Sequence, residues 1–325
     1  MRNAVIHSTG SYLPEKIVYN EDLTQFPEDS IVRIAQKTGV LSRRIAADDQ
    51  CTSDLGINAA RACLEKVNFP GEKLEGIIVS TSSPDRIQPP TASRVQAALG
   101  AYDAFAFDIN SVCSGSAYGI SLADSLIKAG KYTNILFVAA EMYSRILYPK
   151  DFSTLPYFGD GAGAILFQPG NSDRGVQHSR LGTDGHLCEV VGVHGCGSMT
   201  PHVKITDPKV ACLKMNGRAV KEFALHRGPG VMVRLAEEAG ISLKDVDVVI
   251  CHQANINIIN AISETLDIPR EKFFVNLTHY GNTASASVLI ALDEAITSNF
   301  IKPGDLVLTV SFGGGLSYGA NLIRM

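Results

Sequence analysis

The sequence lacks any long apolar segment. Its 325 residues include no run of the roughly 18 apolar residues that a membrane-spanning helix requires. The N-terminal residues, MRNAVIHSTGSYLPEK, also lack the apolar core and small-residue cleavage site of a secretory signal. We therefore expect a soluble, cytoplasmic protein that does not bind or cross a membrane.

Excess positive charge and paired cysteines are also missing. The formal net charge is −4 at pH 7, so the chain has no general attraction for nucleic acid or an anionic membrane surface. The seven cysteines are odd in number and scattered singly, and a disulfide framework is therefore not expected. Hydrophobic residues, by contrast, make up 45% of the chain, which is enough for a large core.

Apolar strand-like runs alternate with helical patterns along the chain, which predicts an α/β fold. Both halves contain the same series: helix, strand, strand, small-residue loop, helix, strand, glycine-rich hairpin. We predict two duplicated halves, 1–172 and 173–325, packed as one compact unit, with their Gly/Ala/Ser-rich helices between two sheets. The segment 178–210 has little periodicity and is predicted to be an insertion on the second half.

Cys113 is the first candidate for chemistry. It lies in DINSVCSGSAYG, where a strand ends and a helix begins. The positive end of the helix dipole favours a thiolate, so we expect the thiol pKa to be lowered and the sulfur to act as a nucleophile. The alternative is an inert cysteine of the core.

His252 and Asn282 are two further candidates. His252 ends the apolar run VVICHQAN, and α/β proteins commonly place functional groups at the end of a strand. Asn282 lies in THYGNTASAS, before a helix, where its amide can donate to a developing oxyanion. The alternatives are a hydrogen-bonded structural histidine and an asparagine that caps a helix.

Two glycine-rich segments, FGDGAGAILF (158–167) and FGGGLSYGANL (312–322), predict tight hairpins. The second also allows backbone N–H groups to point into a cavity, as an oxyanion hole requires. One indication of a metal site is the recurrence of His and Cys in one loop, at His186, Cys188, His194, Cys196 and His202. Their HxC spacing lacks the paired CxxC geometry of zinc sites, so we favour a loop that borders the active-site entrance and predict no metal.

Several motifs together resemble one family. In order, they are STGSYLPEKIVYNEDL (8–23), QKTGVLSRRIA (36–46), the Cys113 segment, YFGDGAGAIL (157–166), CHQANINII (251–259), HYGNTASASV (279–288) and SFGGGLSYGA (311–320). They resemble the β-ketoacyl-[acyl-carrier-protein] synthase III family of the thiolase superfamily, over essentially the whole chain. The resemblance implies a five-layered αβαβα thiolase-like fold made of two βαβαβ-type halves.

The resemblance also implies a mechanism. Cys113 takes an acyl group from a thioester, and the backbone N–H groups of Cys113 and Gly314 form the oxyanion hole. His252 and Asn282 then stabilise the enolate that forms when a malonyl thioester loses CO2, and a β-ketoacyl product leaves. The substrates are thioesters of coenzyme A or acyl carrier protein, no metal or redox cofactor takes part, and the protein is a homodimer.

Carried over by the resemblance, the substrate-binding residues are Gln88, Phe158, Met215, Gly217 and Phe312. The corresponding rim that receives coenzyme A or a carrier protein comprises Arg33, Lys37, Phe152, Arg218 and Asn257.

The rim departs from the family pattern. Arg33 replaces a tryptophan, Phe152 replaces an arginine, and Asn257 replaces an arginine used in carrier docking. Further cations for the rim are Lys221, Arg227 and Arg234.

Gln88 replaces an aromatic residue that shapes the acyl pocket across the dimer interface. These changes favour a specialised fatty-acid, polyketide or secondary-metabolite pathway.

Two other activities share part of this pattern. The order Cys, His, Asn also occurs in papain-like hydrolases, but the CGSCW-like segment and disulfides of that class are missing. Within the ketosynthase-like family, Cys113 could pass its acyl group to an alcohol or amine without decarboxylation. Release of CO2 from a malonyl thioester distinguishes the two outcomes.

Overall fold

The structure is a computed structural model that describes residues 3–171 and 173–325. The β-strands are Asn3–Tyr12 (β1), Lys16–Tyr19 (β2), Ser42–Ile45 (β3), Gly76–Ser80 (β4), Phe105–Ile109 (β5), Ile135–Met142 (β6), Asp160–Gly170 (β7), Gly175–Thr183 (β8), Val191–Gly192 (β9), Lys214–Met215 (β10), Val248–Cys251 (β11), Leu306–Gly313 (β12) and Ser317–Arg324 (β13). The α-helices are Glu28–Thr38 (α1), Thr52–Glu65 (α2), Thr91–Ala98 (α3), Gly115–Lys128 (α4), Gly217–Ala239 (α5), Ile256–Leu266 (α6), Leu277–Tyr280 (α7) and Ala286–Thr297 (α8).

Two large mixed sheets repeat one topology. The first has the strand order β1-β7-β6-β4-β5, and the second has β8-β13-β12-β11. In the first, β4 is parallel to β5 and β6, while β7 is antiparallel to β6 and β1. In the second, β11 is parallel to β12 and forms a parallel bridge from Val249 to Phe273, while β13 is antiparallel to β12 and β8. The strands therefore correspond one by one, as duplication predicts.

The two sheets and their helices form five layers. Helices α2 and α3 cover the outer face of the first sheet, where Leu55 and Val95 pack against Ile77 and Val138. Helices α4 and α8 lie between the sheets, in a core shared by both halves. Helices α5 and α6 cover the outer face of the second sheet. The predicted αβαβα arrangement is confirmed.

The small residues of the two central helices allow close packing between sheets. Gly119 of α4 faces the ring of Phe137 on β6, and a Cβ added at Gly119 would lie 2.0 Å from that ring. On α8 the run Ala286–Leu292 is buried throughout. Small side chains at these contacts are the reason that helices covered on both faces can approach the strands.

Two details differ from the predictions. The segment 158–167 does not form a hairpin, because residues from Asp160 onward belong to the single long strand β7. Residues 178–183 are not part of an insertion, since they complete the edge strand β8 of the second sheet. The predicted boundary between the halves, at 172/173, falls in the connection between β7 and β8, and residue 172 is outside the described residues, so this division remains a prediction.

Candidate active site

The candidate active site is a cavity of about 940 Å³ between the two halves. Cys113, His252 and Asn282 all line it, together with Phe312, Gly313 and Gly314 at the end of β12. The cavity wall is mainly apolar, and Cys113 belongs to the same apolar cluster as Tyr143, Phe158 and Leu213. Three polar side chains from separate loops therefore face one largely apolar space.

Cys113 occupies a 3-10 turn, Val112–Ser114, that leads directly into α4. The preceding Val112 has a φ of 48°, a strained value for a β-branched residue. Gly313 packs against this turn so closely that an added Cβ would lie 2.7 Å from the Cys113 backbone nitrogen. The backbone of the second sheet thus holds the cysteine in position.

The surroundings of Cys113 oppose the lowered thiol pKa that the sequence predicts. Burial, followed by the nearby carboxylate of Glu141, raises the pKa of the Cys113 thiol to about 12. The residue is only 8% exposed, and loss of solvation disfavours the charged thiolate that the helix terminus was expected to favour. The predicted low thiol pKa is therefore wrong for the resting site, where the thiol is protonated.

His252 follows β11, and its backbone N–H donates to Val310 O of β12 at 2.8 Å. The ring nitrogen Nδ1 lies 2.7 Å from Ser287 Oγ, which also accepts the backbone N–H of Gln253. Nδ1 is the only acceptor that Ser287 Oγ contacts among the described residues, so we assign the hydroxyl proton to this bond and the proton of the neutral ring to Nε2. Burial lowers the pKa of His252 to about 3, so the ring is neutral near pH 7.

Asn282 is held by the first half of the molecule. Its N–H donates to Tyr157 O at 2.8 Å, and its carbonyl accepts from the N–H of Gly159 at 3.1 Å. The side-chain Oδ1 accepts the backbone N–H of Ala284 at 2.8 Å, which gives the side chain a turn-capping contact. With Oδ1 engaged, the Nδ2 group remains as the hydrogen-bond donor of this amide.

The other predicted site residues fall into two groups, those that line the cavity and those that do not. Those that line the cavity are Lys37, Phe152, Phe158, Met215, Gly217, Arg218, Asn257, Phe312 and Gly314. Arg33 and Gln88 are exposed and do not line it within one chain. Of the additional cations, Lys221 lines the cavity, whereas Arg227 and Arg234 line a separate small pocket beside Tyr318, so they are not part of this rim.

Sequence reasoning missed Tyr143, Glu141 and Ser82. Tyr143 lines the cavity and belongs to the same buried cluster as Cys113. The Tyr143 hydroxyl lies 3.0 Å from Ser82 Oγ, which donates to the carboxyl group of Glu141 at 3.1 Å. A signal was available, because Glu141 ends the otherwise apolar run ILFVAAE at the carboxyl end of a buried strand.

The histidine- and cysteine-containing loop borders the cavity, since Val191 is one of the lining residues. His194 Nδ1 approaches Glu189 at 3.4 Å, while Cys188 and Cys196 are exposed. Within residues 3–171 and 173–325, no group of three or more His, Cys, Asp or Glu side chains is arranged to hold a metal ion. None of the helices in these two ranges is both long and apolar enough to span a bilayer.

Comparison with known proteins agrees with this geometry. The family model for 3-oxoacyl-[acyl-carrier-protein (ACP)] synthase III matches residues 107–185, and the model for its C-terminal part matches residues 236–325. A β-ketoacyl-[acyl-carrier-protein] synthase III from Caldanaerobacter subterraneus is 42% identical over 99% of this chain and 97% of its own length.

Solved structures of relatives share the fold. The 3-oxoacyl-[acyl-carrier-protein] synthase III of Aquifex aeolicus has a TM-score of 0.91 at 38% identity, covering 99% of this chain and 100% of its own. The priming β-ketosynthase of a polyketide biosynthetic pathway has a TM-score of 0.92 at 30% identity, covering 100% of this chain and 96% of its own. The papain-like alternative is therefore wrong.

The cysteine that lines the cavity, the duplicated five-layered fold and the full-length similarity lead to one conclusion. This chain belongs to the β-ketoacyl-[acyl-carrier-protein] synthase III family and is a condensing enzyme of the acyltransferase class.

Proposed function

We propose that this enzyme loads an acyl group from a thioester onto Cys113 and condenses it with a malonyl thioester to give a β-ketoacyl product. The observation that carries the proposal is the convergence of Cys113, His252 and Asn282 on one cavity of about 940 Å³. A covalent acyl-enzyme divides one difficult condensation into two easier steps. The thioester arrives on coenzyme A or on an acyl carrier protein, and no cofactor is invoked.

In the first step the sulfur of Cys113 attacks the thioester carbonyl. The backbone N–H groups of Cys113 and Gly314 stabilise the tetrahedral oxyanion, because Gly314 lies in the cavity wall beside the nucleophile. The thiol of the carrier leaves, and the acyl group remains on sulfur. The close contact of Gly313 with Cys113 supports this role, since it keeps the sulfur and the glycine backbone together.

In the second step a malonyl thioester binds with its carbonyl oxygen between His252 and Asn282. The neutral His252 ring donates from Nε2 and Asn282 donates from Nδ2, so two hydrogen bonds stabilise the enolate that forms as CO2 leaves. The enolate carbon attacks the acyl group on Cys113, and the sulfur leaves as the β-ketoacyl thioester forms. Both residues act only as hydrogen-bond donors, so neither His252 nor Asn282 has to gain or lose a proton in this step.

The rim supports a specialised substrate or pathway. The cavity mouth combines the cations Lys37, Arg218 and Lys221 with Phe152 and Asn257. Cations suit the phosphates of coenzyme A or of a phosphopantetheine arm. The chain contains no tryptophan to stack on an adenine ring. We therefore include a role in a specialised fatty-acid, polyketide or secondary-metabolite pathway in the proposal.

The proposal also includes a homodimer. Strand β5 (FAFDI) is the edge of the first sheet, and all five of its residues are only half-buried in the single chain. An apolar sheet edge is normally covered. A second copy would cover it and would bring Gln88, which is exposed here, to a shared surface with the acyl pocket.

The acyl-enzyme is tested by intact-protein mass spectrometry after incubation with a panel of acyl-coenzyme A and acyl-carrier thioesters. We expect one adduct per chain, which disappears in Cys113→Ala and remains in the control Cys188→Ala, because Cys188 is exposed on a loop. Addition of a malonyl thioester should then release CO2. An adduct that persists in Cys113→Ala contradicts the proposal, and acyl transfer to an alcohol or amine without CO2 supports the alternative acyltransferase.

A further inference from the structure

Ser317 is a buried serine that the proposed reaction does not use. It is the first residue of β13 and is 3% exposed. Its backbone pairs with Gly313 of β12 on one side and with Thr183 of β8 on the other. Because the residue is held between two neighbouring strands, it provides a rigid support for its own side chain.

The Ser317 hydroxyl contacts both segments that carry a proposed oxyanion donor. Its Oγ lies 2.7 Å from Gly314 O, in the glycine-rich loop of the second half. The same Oγ lies 2.6 Å from Ser114 Oγ and 3.1 Å from Ser111 O, in the turn of the first half that holds Cys113. One hydroxyl therefore joins the two loops, although Ser114 and Ser317 are 203 residues apart in the sequence.

The protons of this cluster can be assigned from the distances. Ser317 has one hydroxyl proton, and its shorter carbonyl contact is the one to Gly314 O, so we assign the proton to that bond. The 2.6 Å contact between the two hydroxyl oxygens is then bridged by the proton of Ser114. Hydrogen bonds thus run without a gap from the cysteine turn to the glycine loop.

The glycine loop needs such a support. Gly313, Gly314 and Gly315 follow one another, and Gly315 has a φ of 123°, so side chains contribute little to the rigidity of this segment. The peptide group that carries the Gly314 N–H lies between two attachments to Ser317. The first is the strand pairing at Gly313, and the second is the hydroxyl contact at Gly314 O. Removal of the hydroxyl leaves the peptide group without the second attachment.

We propose that Ser317 is a positioning residue for the oxyanion hole, and that its hydroxyl keeps the N–H groups of Cys113 and Gly314 directed at one point. This inference rests on the proposed function, because that function assigns the oxyanion hole to these two N–H groups. Ser317 does not line the main cavity, so it acts through the two loops and does not touch the substrate. Its effect is confined to steps in which an oxyanion forms.

The test compares two reactions of the same sulfur, and neither needs the natural substrate. With p-nitrophenyl acetate, the sulfur attacks the ester carbonyl, and an oxyanion forms before the aryl ester bond breaks. An acetyl group then remains on Cys113, p-nitrophenolate leaves, and the thiol proton passes to solvent. With iodoacetamide, the sulfur displaces iodide from a saturated carbon, and no oxyanion forms. A damaged oxyanion hole therefore slows the first reaction and spares the second.

Peptide mass spectrometry of the full-length protein measures the rate at which each reagent labels Cys113. In Ser317→Ala we expect the rate of acetylation to fall by about 10- to 10²-fold, because a misplaced donor costs less than a missing one. The rate of alkylation should not change, since the thiol keeps its surroundings.

Ser311→Ala is the matched control. Ser311 lies on β12, is also buried, and its Oγ lies 3.1 Å from Ser116 Oγ of α4, so it too bridges the two halves. This contact includes neither the glycine loop nor the cysteine turn, and the control should keep both wild-type rates. Ser114→Ala removes the partner of Ser317 in the cysteine turn. It should also slow acetylation and spare alkylation, and it provides a second variant if Ser317→Ala does not fold.

Three outcomes overturn the inference. The first is an unchanged rate of acetylation in Ser317→Ala. The second is an equal fall of acetylation and alkylation, which would mean that the substitution disturbs the cysteine itself. The third is the same selective loss of acetylation in Ser311→Ala.

Failure of this inference and failure of the proposed function can be told apart. If acyl thioesters label Cys113 while Ser317→Ala is acetylated as fast as the wild type, the positioning role is wrong and the function stands. If Ser317→Ala loses acetylation selectively but no acyl thioester labels Cys113, the oxyanion hole stands and the function is wrong.

Discussion

At the scale of single residues, burial sets the protonation states of the site. Cys113 and His252 are both ionisable at accessible pH in a peptide, yet the interior keeps the thiol protonated and the imidazole neutral. The neutral imidazole is suited to donate a hydrogen bond from Nε2 to an enolate.

The low pKa of His252 predicts a loss of stability in acid. The unfolded chain binds a proton on this ring below its ordinary pKa of about 6.5, whereas the folded chain binds it only near pH 3. The stabilisation is therefore complete above pH 6.5 and is lost as the pH falls toward 3. Between pH 7 and 4.5 the wild type should lose about 2–3 kcal/mol more unfolding free energy than His252→Gln.

Urea unfolding of both proteins at the two pH values measures this difference. The comparison cancels the contribution of the acidic groups that the two proteins share. Equal losses of unfolding free energy would contradict the pKa assigned to His252.

At the scale of elements, small residues allow two helices to lie between two sheets. The repeated positions of glycine, alanine and serine in α4 and α8 are visible in the sequence and correctly predict the middle layer. The sequence pattern did not separate strand from loop at residues 178–183, because β8 is an edge strand whose residues are only partly buried. Periodicity is weak where just part of one face of a strand is covered.

Gly119 provides a test of the packing between α4 and the first sheet. Gly119→Ala would place a methyl group 2.0 Å from the ring of Phe137, and overpacking of this kind typically costs about 1–3 kcal/mol. The control Gly230→Ala lies in α5 with no heavy atom within 4 Å of the added methyl. It should leave stability unchanged or raise it by up to about 1 kcal/mol, because alanine favours a helix.

Denaturant midpoints of the two glycine variants and the wild type provide the measurement. Similar shifts for both variants would mean that Gly119 is not constrained by its neighbour.

At the scale of the whole molecule, the site is assembled from both halves. The cysteine precedes α4 of the first half, the histidine follows β11 of the second, and Asn282 is bound through its backbone to Tyr157 and Gly159. A core shared by both halves keeps these loops in a fixed relation. The rigid join explains how residues far apart in sequence can share one cavity.

A homodimer is the prediction at this scale. Light scattering should give twice the mass of one chain. Ile87→Asp should reduce the dimer fraction, because Ile87 is 81% exposed in the single chain beside Gln88, where the partner is proposed to bind. The control Val203→Asp changes a residue that is 91% exposed on the loop after β9, and it should remain dimeric. A wild type that is monomeric at micromolar concentration contradicts the proposal.

The sequence by itself determined the fold class, the duplication, the family and the three polar residues that line the cavity. These features are encoded in local patterns: apolar periodicity, small-residue helices and short motifs that recur in order. Only the tertiary structure decided the protonation states, the position of Gly313 against Cys113, the separation of Arg227 and Arg234 from the rim, and the hydrogen bonds that Ser82 makes with Tyr143 and Glu141. These properties depend on burial and on contacts between distant segments, and no local pattern of residues encodes either.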